Sequence, residues 1–429
     1  MTLRQEMNTA PNALTADRRP DDEPHPPPLS RRGRLILAGL IALGLVARLV
    51  VAFKTYGVGY DIDSFAAVRD ALRTDPLGLY SSVNGHPFLR WPYPPTFLPF
   101  VAWAGWIADN TGLAFHGLVQ VPQILADAAI AWMVQYYLGL RGATERWRLA
   151  AAALVAVGPS FAIISGYHGQ LDAAAILPAV AALVVWQRSP AGLRRALVAG
   201  LLIGLAASIK TSPILVVAAL LPAAESWKER AALVTPAVLI PLVAMAPFLI
   251  VDGNATLDSL RDHRALLGFG GVSLIVQPEL ARGWLVGGDV GLSSLSKALL
   301  DHEMTIVAAF LAPLAALMIW RRVPPAKAAA LLWLAFLVLT PGFAFQYVVW
   351  GLPFALMAGY IWQVAAVQGA LLLPAVLLYR QVTLDDPARV YVPIMVLTWA
   401  VLLIVLVRMV AIVARRSASN VREGASLSS

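Results

Sequence analysis

Residues 35–53 read LILAGLIALGLVARLVVAF, and Tyr60-Asp61-Ile62-Asp63-Ser64-Phe65 follows a few positions later. A bilayer core of roughly 30 Å needs about 20 residues at 1.5 Å rise, so the first stretch is a membrane-spanning helix. Its polar lead is long, it carries Arg48, and no small-x-small cleavage site follows, so it is read as a retained anchor. Two acids stand just beyond it. They open a polar segment that runs through Trp91-Pro92-Tyr93-Pro94-Pro95. A chain that only spans the bilayer has no use for such a segment, whereas chemistry at the membrane surface needs acids placed there.

The rest of the chain extends this reading. Of its 429 residues 59% are hydrophobic and 14% charged, against roughly 45–50% apolar in soluble domains. Apolar runs of bilayer length recur, which predicts an all-α polytopic membrane protein of about twelve transmembrane helices. Cysteine is absent, which excludes disulfides, thiolate metal sites and a cysteine nucleophile. The net charge of +8 comes from short basic clusters between apolar runs, not from a nucleic-acid-binding patch. The six histidines are scattered, and neither a His-Glu-x-x-His pattern nor a phosphate-binding Gly-rich loop occurs. No cofactor is expected; a divalent metal is permitted but not required. Residues 1–34 and 414–429 are polar and read as disordered cytoplasmic tails around a membrane domain of residues 35–413.

Basic clusters orient the chain. Arg31, Arg32 and Arg34 keep the N-terminus cytoplasmic and place Asp61 outside. The apolar piece Thr96–Ile107 is about a dozen residues, too short to cross. Leaving it at the interface puts Arg141, Arg146 and Arg148 inside, and the later basic clusters then fall inside in alternation. The first outer loop therefore spans about residues 54–113. Further outer segments are expected at 166–172, 210–213, 252–303, 341–346 and 379–390.

These outer segments hold the candidate site. Asp61 and Asp63 form a D-x-D pair, a weak signal alone. Tyr167-His168-Gly169-Gln170-Leu171-Asp172 offers an imidazole, an amide and a carboxylate in one turn; alternatively Asp172 only caps the next helix. Lys210 ends an apolar helix on the side where cations are disfavoured. It either snorkels to the interface or holds a lipid phosphate. Arg261, His263 and Arg264 either contact phosphate or form a solvated helix face. Gln346 and Tyr347 are candidates for a sugar pocket, while Trp350 reads as part of an interfacial belt. Arg48 and Asp127 lie inside spans, where an ion pair between them is the expected arrangement.

In this order the motifs resemble the GT-C superfamily of integral-membrane glycosyltransferases, and within it bacterial polyprenol-phosphate-mannose-dependent mannosyltransferases. The resemblance covers about Leu35 to Met409. It is carried by Asp61-Ile62-Asp63-Ser64-Phe65, Gly78-Leu79-Tyr80, Tyr93-Pro94-Pro95, Gly169-Gln170-Leu171-Asp172, Lys210 with Pro213, and Gln346-Tyr347 before Leu352-Pro353. It implies a GT-C-type fold with juxtamembrane helices in the long first extracytoplasmic loop. It also implies a polyprenyl-phosphate sugar donor and a glycolipid, glycan or protein acceptor. Asp61 would be the catalytic base, with Asp63 the second choice. His168, Gln170, Asp172, Lys210, Arg261, His263, Arg264, Gln346, Tyr347 and Tyr93 would bind substrate. A secondary transporter or flippase of about twelve helices is the competing class; its ionisable groups would sit near the midplane and its halves would repeat.

Overall fold

A computed structural model describes residues 25–86, 89–261, 265–380 and 386–426, with side chains as far as Arg415. Within these residues the chain is helical, with no strand. Seven helices are long and apolar enough to cross a membrane: Arg31–Lys54, Phe115–Leu140, Glu145–His168, Trp227–Arg261, Glu303–Trp320, Ile361–Tyr379 and Ala388–Arg415. Ser212–Ala223, Pro325–Leu339 and Phe345–Met357 are apolar but shorter. Among the described residues seven helices thus qualify as spans by length and composition, where hydropathy predicts about twelve.

The chain divides into two compact units. The first contains residues up to 217, 224–263 and 352–365. It begins with α1 (Arg31–Lys54), whose N-cap Ser30 accepts from the Gly33 amide at 2.9 Å. Ser30 is held in turn by Glu145, its backbone N–H and its hydroxyl each donating at 2.7 Å. Leu35, Leu43, Val46 and Val50 on α1 are exposed, as a lipid-facing helix requires.

The expected first outer loop is itself helical. It comprises α2 (Gly59–Thr74), α3 (Leu79–Asn84) and α4 (Leu98–Thr111). The 14 residues of α4 reach about 21 Å, short of a roughly 30 Å core. Trp103 and Trp106 are exposed on it, the aromatic signature of an interfacial helix. Gly112 in the left-handed region (φ 71°) ends the helix, and Arg73 of α2 pairs with Asp109 near that end. Ile62, Phe65, Leu79, Tyr80, Trp91, Phe97 and Val101 form one buried cluster beneath the loop.

The membrane part of this unit continues with α5 (Val121–Leu140), α6 (Glu145–Ala156), α7 (Pro159–Ile163), α8 (Asp172–Arg188), α9 (Leu193–Ile209) and α10 (Trp227–Arg261). The helix breaks between α6 and α7, where Gly158 and Pro159 interrupt the ladder. Arg48 repairs the break. It donates to the Val155 carbonyl at 2.9 Å and to that of Ala156, and its Nε lies 3.1 Å from Asp127. The expected Arg48–Asp127 pair is present, with a second duty toward carbonyls that apolar surroundings would leave unsatisfied. A side chain at Gly44 would run into the Ala156 carbonyl oxygen, so glycine permits this approach. Helix α10 kinks at Asp252 (φ −145°, ψ 71°), where the sequence places the start of an outer loop.

The second unit contains residues 218–223, 264–351 and 366 onward. Its long helices are α11 (Glu303–Trp320), α12 (Pro325–Leu339) and α15, the last following α13 (Val348–Met357) and α14 (Ile361–Arg380), which have residues in both units. Helix α15 covers Ala388–Ser426, so the backbone stays helical through the stretch read as a disordered tail from residue 414. Its last turns extend a helix already formed, and propagation needs only one bond per added residue.

Candidate active site

The site forms where three elements of the first unit meet: the start of α2, the turn before α8, and the end of α9. Asp61 lies in the first turn of α2, where the helix dipole favours a carboxylate. The chain then reaches His168 by a π-turn, Ile164–His168, that closes on Gly169 with φ 85°. A side-chain carbon at Gly169 would stand 2.9 Å from Ile62 Cδ1, so only glycine lets this turn pack against α2. The extra residue of the π-turn rotates His168 and Gln170 toward Asp61.

Both carboxylate oxygens of Asp61 are engaged. His168 Nε2 lies 2.6 Å from Oδ2, and Gln170 donates to Oδ1. Gln170 Oε1 accepts from the Tyr93 hydroxyl at 3.1 Å. Asp61 is 9% exposed and His168 6%. A carboxylate offers about four lone-pair directions, so two gripped oxygens keep acceptor capacity for a substrate hydroxyl. Asp63, two residues along, faces the other way. It is exposed and accepts from the Tyr56 hydroxyl at 2.5 Å. That hydrogen bond, with burial second, pushes the Tyr56 phenol up to about 12. The D-x-D pair is thus split by helix geometry into a buried and a solvated acid.

Lys210 and Asp172 form a second, adjoining pair. Lys210 caps α9 and donates to Asp172 Oδ1 at 2.6 Å; the residues are 3% and 0% exposed. The ammonium also stands 5.1 Å from the centre of the Tyr93 ring. Two expectations change here. Lys210 does not snorkel, because its head is buried on a carboxylate. The N-cap of α8 is Leu171; Asp172 follows it as the first helical residue, and its carboxylate turns to Lys210. Tyr93 joins the halves, its hydroxyl on Gln170 and its ring near Lys210.

The other expected residues lie elsewhere. Arg261 is exposed at the end of α10, 4.0 Å from Asp258. His263 and Arg264 lie outside the described residues. Gln346 and Tyr347 belong to the second unit, in a buried 3-10 turn. Tyr347 stacks on Trp350 at 4.2 Å, and Trp350 also meets Trp333 at 5.4 Å. Trp350 is therefore buried in an aromatic stack and not part of an exposed belt. Among the described residues no three His, Asp or Glu side chains are grouped to hold a metal ion.

Sequence reasoning missed the tie between residues 84–93 and α10. Asn84 donates to Ser259 Oγ at 2.8 Å and accepts from the Trp91 amide at 2.9 Å, and Ser259 donates to the Trp91 carbonyl at 2.7 Å. Its members are up to 175 residues apart, and nothing local in the sequence announces them.

An all-helical membrane protein with a buried, multiply bonded carboxylate beside a lysine–aspartate pair is the class that fold and site define. The profile of Glycosyltransferase family 87 matches residues 91–341, and the chain belongs to that family. This agrees with the resemblance to GT-C glycosyltransferases and leaves the transporter alternative without support. The chain is similar to the crystal structure of ArnT from Cupriavidus metallidurans in the apo state, with 16% identity and a TM-score of 0.44 over 87% of this chain and 77% of that one. Against ArnT bound to undecaprenyl phosphate the identity is 16% and the TM-score 0.46, over 91% and 79%. No curated protein matches the chain by sequence.

Proposed function

We propose that this membrane glycosyltransferase moves a sugar, mannose by the resemblance of its motifs, from a polyprenyl-phosphate donor to an acceptor hydroxyl of a glycolipid, glycan or protein. The reaction takes place at the extracytoplasmic face. The observation that carries this reading is the grip of His168 and Gln170 on a buried Asp61.

A hydroxyl is a poor nucleophile, and Asp61 removes its proton as the oxygen attacks the anomeric carbon. The carbon–oxygen bond to phosphate breaks as the new glycosidic bond forms. Its electron pair leaves on polyprenyl phosphate, and the proton ends on Asp61. Phosphate is a weak base and needs no general acid, so one carboxylate suffices and the configuration inverts, as with inverting glycosidases. His168 and Gln170 orient the carboxylate. Lys210, held on Asp172, supplies the positive charge that stabilises the departing phosphate. Neither a metal nor a cofactor enters this scheme.

The test is transfer by the purified protein in detergent, using synthetic polyprenyl-phosphate mannose labelled in the sugar. Label moving to an acceptor with loss of the phosphate bond supports the reading. A donor left intact with every acceptor class, and with other polyprenyl-phosphate sugars, contradicts it.

A further inference from the structure

A cavity of about 410 Å³ opens in the first unit between α3, the following turn and α10. Its size lies within the roughly 300–1,000 Å³ of small-ligand sites. Tyr80 and Ser259 line it in buried positions; Arg90 and Asp258 are exposed, and Pro92 and Ala255 add apolar surface. Three observations identify what it takes.

The lining is polar and of mixed charge. A guanidinium, a carboxylate, the His86 imidazole, the Asn84 amide and the hydroxyls of Ser81 and Ser259 meet there. A prenyl chain would strand these groups without partners, at a cost for each. An anion would meet Asp258 as well as Arg90. A neutral polyol satisfies both, since its hydroxyls donate to the carboxylate and accept from the guanidinium, while its C–H faces lie on Pro92 and Ala255.

The polar walls are pre-built. Asn84 and Ser259 are locked to each other and to Trp91 by bonds of 2.7–2.9 Å, yet each oxygen keeps accepting capacity. Tyr80 is locked by its hydroxyl on the Tyr93 carbonyl at 2.7 Å. A rigid wall of this kind lowers the ordering cost of binding.

The cavity wall is also tied to the helix that carries Asp61. The Arg90 amide donates to Ser64 Oγ at 3.3 Å, and Ser64 stands one turn after Asp61 on α2, about 5 Å along the axis. Burial pushes the phenol of Tyr60, the neighbour of Asp61, above its ordinary value, and the Arg90 guanidinium opposes that shift.

We infer that this cavity is the subsite for a sugar unit of the acceptor, which makes the acceptor a glycan or glycolipid; the word acceptor rests on the transfer reading above. The hydroxyl to be glycosylated would extend from the cavity past Arg90 toward Asp61.

The experiment is equilibrium binding to the purified full chain in detergent, followed by tryptophan fluorescence. The probes are linear trisaccharides of mannose and of glucose, with undecaprenyl phosphate as the lipid control. At least one trisaccharide should bind saturably. Asp258→Ala, on the exposed face of α10, should weaken it about tenfold, the loss expected of a hydrogen bond to a charged group. Ala255→Phe fills the cavity and should weaken it at least as much. Undecaprenyl phosphate should bind both variants within about twofold of the unsubstituted chain. If Ala255→Phe fails to fold, Asp258→Ala alone decides. Failure of every trisaccharide to bind, or equal binding by the variants, overturns the inference. So does a loss confined to undecaprenyl phosphate, which would make the cavity a lipid-phosphate site. Trisaccharide binding that behaves as expected in a protein that transfers no sugar would leave the subsite standing and sink the transfer reading.

Discussion

Lys210 Nζ and Asp172 Oδ1 meet at 2.6 Å at a position 3% and 0% exposed, across the ends of α9 and α8. Breaking such a buried pair by removing one partner strands the other charge and costs about 3–5 kcal/mol. Lys210→Met and Asp172→Asn should therefore each lower the unfolding midpoint. The double variant Lys210→Met/Asp172→Leu should recover much of it, since apolar replacement of a whole pair is often near neutral. Donor use should not recover, because no ammonium remains for the phosphate. Thermal unfolding and donor KM, measured on the same three proteins, separate the two roles. A double variant with normal donor KM would reduce the pair to scaffolding.

The contact between Tyr93 and Gln170 joins that pair to Asp61. Tyr93→Phe removes one neutral hydrogen bond, worth about 0.5–1.5 kcal/mol. It should slow kcat by roughly 2–10-fold with little change in folding. Gln170→Ala frees one Asp61 oxygen as well and should slow turnover more. Equal turnover in Gln170→Ala and the parent would show that the amide does not orient the base.

Gly169 carries φ 85° against Ile62. Gly169→Ala must accept both a left-handed backbone, which costs about 1–3 kcal/mol, and a contact at 2.9 Å. Activity should fall more than stability, because the turn aims His168 and Gln170. Circular dichroism melting and the transfer assay together check this. A fully active Gly169→Ala would mean that the π-turn does not set their aim.

The short α4 gives a topological prediction. Ser81 in α3, ahead of the 14-residue helix, and Asn110 in its last turn are both exposed, and the chain has no native cysteine. Single cysteines at the two positions should react with an impermeant thiol reagent from the same side of the membrane, the outer one. Labelling from opposite sides would require α4 to cross.

Charges in apolar surroundings were the most legible features of this sequence. Arg48 and Asp127 each demand a partner within a span, and they found one another. Asp61, His168, Gln170, Asp172 and Lys210 stood out for the same reason, as ionisable or amide groups at helix ends. Their partners were less legible. Lys210 and Asp172 are 38 residues apart, and a lysine at a helix end looks the same whether it reaches water or a buried carboxylate. The choice between Asp61 and Asp63 also needed the helix that turns one inward and the other out. The π-turn before Gly169 has no sequence signature, since its residues suit an ordinary helix. Trp350 reads as interfacial by type, but stacking on Tyr347 and Trp333 buries it.

The central claim is that Asp61 takes the acceptor's proton. Asp61→Asn preserves shape and the bond from Gln170 but cannot act as a base. General-base assistance contributes typically about 10²–10⁴-fold. The deciding measurement is kcat for transfer from synthetic polyprenyl-phosphate mannose by purified Asp61→Asn and Asp63→Asn, with donor binding recorded alongside. Asp61→Asn should lose at least about a hundredfold in kcat while still binding donor, and Asp63→Asn, at an exposed position bonded to Tyr56, should lose far less. Near-normal turnover by Asp61→Asn would contradict the account.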